Sequence, residues 1–207
     1  MMSSTIQRSA PRSAAVPPLC RIPADLSLSW RLADGTPVLL RPMLPTDGPR
    51  LASFSAGLSP ASRQARRQGA AASTTGSMPA EPLSAFGELI EPDYEQHVGY
   101  VITVPDEGSD RIIGEACFIS DGNSGSADIA LVIADAWQRH GIGTRVLLAM
   151  ARAAGRRGLR WLRADVAMDN RRAQHMLQRC GFIGTPHPDD EDRMQLHLLL
   201  LPPFPGS

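Results

Sequence analysis

Residues 132–144 read Val132-Ile133-Ala134-Asp135-Ala136-Trp137-Gln138-Arg139-His140-Gly141-Ile142-Gly143-Thr144. An apolar strand end passes through a turn into a glycine-containing loop, and the loop opens a helix. Ile142, Val146, Leu147, Met150 and Ala154 then recur at helical spacing, with Arg145, Arg152 and Arg156 on the remaining face. A helix start leaves its first amides unpaired and carries partial positive charge, so a loop that turns consecutive amides toward one point there can hold a pyrophosphate. Gly141 and Gly143 allow that approach, since side chains would crowd the ligand and resist the backbone angles of such a nest. The competing account is a plain tight turn before a helix. The pattern is neither GxxxxGK(S/T) nor a GxGxxG after the first strand of a parallel unit, which disfavours nucleoside triphosphates and dinucleotides.

The rest of the chain sets bounds on what this loop serves. Its 207 residues suit one compact domain, and 43% hydrophobic against 20% charged residues suffices for a core, which excludes a wholly disordered chain. The longest apolar runs, Ile129 to Ala134 and Val146 to Ala151, and the run Leu198 to Leu201 are all far short of a membrane span, and no apolar stretch follows the early Arg residues as an export signal would require. Cys20, Cys117 and Cys180 form no CxxC or Cys/His cluster, which suggests neither a disulfide framework nor a metal site and fits a reducing cytoplasm. All 21 basic residues are Arg and balance 21 acidic ones. With no lysine, the chain has no ε-amine of its own to acylate. Ten of those Arg fall between Arg139 and Arg179, against only Asp165 and Asp169. Such a stretch suits polyphosphate, nucleic acid or plain solvation, but only Trp161 interleaves it, which places nucleic acid well behind a phosphate-bearing cofactor.

Met1 to about Pro23 is Ser-, Pro- and Ala-rich and reads as a disordered tail, with 24–201 as the domain and 202–207 as a C-terminal tail. Leu28 to Met43 reads as strand, turn, strand. Thr46-Asp47 is a plausible cap for a helix carrying Leu51, Phe54 and Leu58, and Ser59-Pro60 opens a second helix to about Gln68. Gly69 to Pro82 reads as a mobile or substrate-contacting loop, followed by a short helix at 83–90. Three strands are expected at His97–Val104, Arg111–Ser120 and Ser126–Ile133, joined by short polar connections suited to antiparallel hairpins. After the helix that begins at Gly141, Leu159–Ala167 reads as a strand, Asn170–Arg179 as a helix stopped by Gly181, and Met194–Leu201 as a closing strand.

The QRHGIG stretch resembles the (R/Q)xxGx(G/A) loop of the GNAT superfamily of acetyl-CoA-dependent N-acetyltransferases. Asn170-Arg171-Arg172-Ala173 through Cys180-Gly181-Phe182 is similar to that family's NxxA...GF segment. Leu40-Arg41-Pro42, Thr46-Asp47, Leu58 to Arg63 and Ala127-Asp128-Ile129-Ala130 further resemble its bacterial protein-lysine acetyltransferase branch. The resemblance implies an α/β (α+β) fold: a mixed, mostly antiparallel central sheet flanked by helices, splayed between the fourth and fifth main strands to hold acetyl-CoA. It implies pantetheine against Leu131, Val132 and Ile133, the pyrophosphate on the amides of Gln138, Arg139, His140, Gly141, Ile142, Gly143 and Thr144, and Asn170 facing the pantetheine arm. It also implies an amine acceptor, a protein lysine or a small amine, with no membrane or metal. Standalone members are often homodimers, although no interface is legible in this sequence.

The same resemblance places a Glu at the start of the fourth strand as the base. Here that position is Asp128, with the right chemistry and a shorter reach; Glu115 on the preceding strand is the alternative. Many members place a Tyr seven residues after the Asn to protonate the leaving thiolate, and here that position is Leu177. A thiolate with a pKa of about 8.5 needs little help. Asp128 and Leu177 also leave room for a catalytically weak acyl-CoA-binding module. His140 and His175 read as ordinary histidines, and Cys180 as a packing residue.

Overall fold

The computed structural model describes residues 27–71, 96–120, 122 and 124–200. The expected tails at 1–23 and 202–207, the helix at 83–90, and residues 72–82 of the expected loop lie outside these residues. A tight turn joins β1 (Leu28–Arg31) to β2 (Pro37–Pro42), and β3 (His97–Asp106), β4 (Ser109–Ser120) and β5 (Ser126–Ile133) continue as an antiparallel meander. The connections between these three strands are too short for anything but hairpins. The amphipathic helix α3 (Ile142–Arg156) then carries the chain back, so β6 (Trp161–Ala167) runs parallel to β5. Helix α4 (Arg171–Arg179) follows, and the antiparallel pair β7 (Ile183–His187) and β8 (Asp190–Leu199) completes a single eight-stranded sheet in the order β1-β2-β3-β4-β5-β6-β8-β7.

Several bounds differ from the sequence reading: β3 runs on to Asp106 and β4 starts at Ser109, which tightens their hairpin, and β6 starts at Trp161. Strand β7 was not expected, and β8 begins inside the acidic run rather than at Met194, because His187 pairs with Asp190 to close a hairpin whose tip is that run. The second helix, α2 (Pro60–Ala71), runs through Gly69 to Ala71, where a loop was expected to have begun.

Alternation along the strands sorts the core into two layers. Val98, Tyr100, Ile102, Phe118, Ala127 and Ile129 pack with Val146, Leu147 and Met150 of α3 and Leu177 of α4. On the opposite face, Val101 and Val132 pack with Met43 and with Leu51, Phe54 and Leu58 in and just after α1 (Gly48–Ala56). Asp47 occupies the N-cap of α1 but makes no side-chain cap bond. Its carboxylate instead accepts from Arg41 Nη1 and Nη2 at 2.7 and 2.8 Å and from the Leu44 amide at 2.8 Å. Burial alone would raise that carboxyl; the Arg41 and Leu44 hydrogen bonds outweigh it and hold Asp47 below the usual carboxylate range.

The ladder between β5 and β6, the fourth and fifth main strands when the four-residue β1 is set aside, consists of three pairs: Ser126 with Trp161, Ala127 with Leu162, and Asp128 with Arg163. Beyond them the strands part, while β5 keeps β4 as its other neighbour and β6 keeps β8. This is the expected splay. Helix α2 packs over it on the α1 side, fixed by two polar anchors. The Asp135 carboxylate accepts from Ser59 N at 2.9 Å, Ser59 Oγ at 2.8 Å and Ser62 Oγ at 2.8 Å. Arg66, 8% exposed, donates through Nε and Nη2 to the two oxygens of Glu115, which is fully buried on β4.

Removing one member of a buried ion pair strands the other. Arg66→Ala should destabilise the protein by about 3–5 kcal/mol in chemical denaturation, and the double variant Arg66→Met/Glu115→Gln should recover most of the loss. At Gly114, where β4 meets β5, a Cβ would sit 2.7 Å from Ile133 Cδ1 and 2.9 Å from the Val132 carbonyl oxygen. Gly114→Ala should therefore cost about 1–3 kcal/mol by the same measurement, because the carbonyl cannot move without breaking register.

Candidate active site

The splay opens into a cleft lined by Ile129, Ala130 and Leu131 from β5, Ala164 and Asp165 from β6, and Asn170 at the start of α4, among others. Past Asp128, no strand among the described residues pairs with β5 on its cleft side, so an extended ligand arm can lie along it. Of the three residues expected to contact pantetheine, Leu131 lines the cleft, while Val132 and Ile133 are buried. The Ile133 carbonyl already accepts from Gln138 Nε2 at 2.9 Å.

At the end of β5 a 3-10 turn, Asp135–Trp137, leads into the loop. Arg139 (φ 69°) and Gly141 (φ 75°) both take the left-handed conformation, and no side chain caps the start of α3. The first helical turn therefore starts without a capping side chain. A Cβ on Gly141 would meet nothing within 4 Å, so the backbone angle, not space, selects glycine there. Gly143 answers a different constraint: a Cβ would lie 2.7 Å from Met176 Sδ, so its missing side chain lets α3 pack on α4. Gln138 serves the scaffold through its side chain. Its Nε2 also donates to Ser62 Oγ at 3.2 Å, and its Oε1 accepts from Arg172, which ties the loop to α2 and α4. Arg139, His140 and Thr144 are exposed, with the His140 ring beside that of Trp137, while Ile142 is buried in the core. Asn170 caps α4, its Oδ1 accepting from the Ala173 amide at 3.1 Å, while lining the cleft.

The two candidate bases lie in different surroundings. Glu115 is fully buried with Arg66 on both oxygens; burial pushes its carboxyl up, and the Arg66 hydrogen bond and charge pull it back. Asp128, 18% exposed, accepts from Arg163 Nε at 2.8 Å and Nη2 at 3.4 Å, at the closed end of the splay. Sequence reasoning passed over Asp165. Alternation from Arg163 places it on the α2 face of β6, yet nothing in the sequence marks its surroundings: Oδ1 is buried with no hydrogen-bond partner among the described residues, and Oδ2 lies 3.7 Å from His187 Nε2. Leu177, in the position of the family's tyrosine, is buried in the cleft wall and brings no hydroxyl. His175 is exposed, and Cys180 packs partly buried against the core with its thiol raised by burial and opposed by a Thr144 hydrogen bond. Tyr94 and Cys20 lie outside the described residues.

Comparison with known proteins supplies independent grounds. The family model described as "Acetyltransferase (GNAT) family" matches residues 64–182, more than half of the chain. The Pseudomonas aeruginosa protein Acetyltransferase PA5475 is 28% identical over 170 residues, covering 82% of this chain and 87% of that protein. Acetyltransferase Pat of Mycolicibacterium smegmatis is 31% identical over 106 residues, covering 50% of this chain but only 31% of its own length. Among solved structures, the GNAT domain of S. lividans PAT superposes with a TM-score of 0.67 at 22% identity, covering 86% of this chain and 99% of that one. No described helix is long and apolar enough to cross a membrane. The splayed sheet, the uncapped loop and the matched family model agree: the chain belongs to the GNAT family of acetyltransferases.

Proposed function

We propose that the protein binds acetyl-CoA in the β5/β6 cleft and transfers its acetyl group directly to a primary amine, a protein lysine in first place, in the cytoplasm. The observation that carries this reading is the loop at 138–144, where two left-handed residues and a helix start without a side-chain cap follow directly on the strand that lines an apolar cleft. The fit is chemical at both ends: the amides of the first turn of α3 suit a pyrophosphate, and Ile129 and Leu131 suit the pantetheine arm. Arg139 and Arg145, both exposed, add positive charge around the phosphates.

Acetyl-CoA supplies an activated carbonyl, so the chain's own work is alignment and proton removal. An acceptor lysine, charged at neutral pH, must lose a proton before its nitrogen attacks. Carboxylates on the α2 face of the sheet suit both tasks, since they attract the ammonium and can take its proton. Asp128 stands where the resemblance puts the base; its ion pair with Arg163 fixes its orientation at the closed end of the cleft. Glu115, shielded and paired with Arg66, serves as the internal anchor of α2. The preference for protein lysine follows the resemblance to the bacterial protein-lysine acetyltransferase branch, and a small amine is the second acceptor class. Loss of the tyrosine position to Leu177 favours protonation of the thiolate by water or by the amine's own second proton.

Titration calorimetry should show acetyl-CoA and CoA binding with a Kd on the order of micromolar and ATP much more weakly. Gly141→Asp, whose carboxylate faces the phosphates, should lose at least about tenfold in affinity, and Gly141→Ala, which adds only backbone strain, should lose less. A panel of lysine peptides, polyamines and other small amines should then give at least one acetylated product. Binding without transfer to any amine would instead identify an acyl-CoA-binding module.

A further inference from the structure

We propose that Asp165, on the β6 lip of the cleft, takes the proton from the acceptor amine, while Asp128 remains the ion-paired neighbour on β5. This rests on the acetyl-transfer reading above and names the base within it. Three observations converge on Asp165. The first is place. The β5/β6 ladder ends at Asp128 and Arg163, and Asp165 is the next residue of β6 on the same face, so it is the first side chain of that face to stand where the two strands have parted, and it lines the cleft. The second is availability. The Asp165 side chain is 10% exposed, and its Oδ1 is buried with no hydrogen-bond partner among the described residues. A bare oxygen on a carboxylate at that depth is costly unless a donor arrives with the substrate, and an acceptor ammonium is such a donor. The third is the engagement of the alternatives: Arg163 donates to both oxygens of Asp128, and Arg66 to both oxygens of the fully buried Glu115.

The titratable and charged groups around Asp165 come from several elements. On β7, His187 Nε2 lies 3.7 Å from Oδ2, beyond hydrogen-bond length but within ion-pair reach when protonated. On β8, Arg193 Nη2 donates to the Asp165 backbone carbonyl at 3.4 Å, and His197 stands opposite Arg163. Helix α2 contributes Arg66, held by Glu115, and the exposed Arg63; β5 contributes Asp128, held by Arg163; and the turn before α4 adds the exposed Asp169. In the reaction the ammonium gives one proton to Asp165 Oδ1. The freed nitrogen pair forms the C–N bond to the thioester carbonyl carbon as the C–S bond breaks with its electrons on sulfur. The second nitrogen proton neutralises the thiolate, and Asp165 returns the first to water, leaving amide, CoA thiol and one released proton.

The test compares Asp165→Asn and Asp128→Asn with the parent, using the panel amine that the parent acetylates fastest, from pH 7 to pH 9. Asp165→Asn should bind acetyl-CoA with parental affinity and lose kcat by about 100-fold at pH 7, within the usual range for loss of a general base. Because the free fraction of an alkyl amine rises about tenfold per pH unit below its pKa, that deficit should shrink to about tenfold or less at pH 9, a recovery that damage to the fold would not produce. Asp128→Asn should lose less than about tenfold at pH 7. Asp165→Asn within about threefold of the parent kcat, or a deficit that does not change with pH, overturns the assignment while leaving the proposed function standing. A parent that binds acetyl-CoA but acetylates no amine overturns both.

Discussion

The β5/β6 ladder stops after three residue pairs, and the rest of the site depends on that termination. A parallel pair that continued through Ile133 and Ala167 would satisfy its own backbone groups and close the sheet. Because it stops, each strand keeps one neighbour and turns an open edge toward the other, and the cleft between them is bounded by peptide groups and small apolar side chains. Open edges within a sheet are ordinarily costly or hazardous. Here α2 covers one face, pinned by the Arg66–Glu115 pair and by Asp135, and α3 and α4 cover the other, where Gly143 admits Met176. The opening is thus held apart from both sides, which makes it a permanent feature of the fold.

Charge in this region is distributed by pairing. Arg163 and Arg66 each neutralise a carboxylate that sequence alone marks as a candidate base, and the same pairs tie β5 to β6 and α2 to β4. The residue left with a bare oxygen, Asp165, stands just past the last β5/β6 pair. Structural and reactive carboxylates are thereby separated by which arginine reaches them, a distinction that depends on contacts spanning up to 49 residues of sequence.

Much of this was legible in the sequence for identifiable reasons. Ser126–Ile133 was read with its observed bounds because glycine-rich turn signals precede it and a strand-to-helix loop follows; α3 was read because its apolar stripe is continuous. The backbone angles expected to need glycine in the loop are found at Gly141 and not at Gly143. Strand β7 escaped because Ile183-Gly184-Thr185-Pro186-His187 mixes breakers with a single large apolar residue, and that residue, Ile183, is 74% exposed. Pairing with β8, not local propensity, makes it a strand. The roles of Gln138 and Gly143 were half visible: position in the loop was clear, but the partners Ser62, Arg172 and Met176 are brought in by the fold. Asp165 illustrates the limit best, since alternation gives its face and only the assembled site gives its missing partner.

The central claim is that acetyl-CoA lies along the open edge of β5 with its diphosphate on the loop that follows. Hydrogen–deuterium exchange with and without acetyl-CoA addresses it most directly. The account predicts slowed exchange at the amides of residues 139–144 and along 131–133, with no change in the β7–β8 hairpin. Unchanged exchange at 139–144 under saturating acetyl-CoA would contradict it.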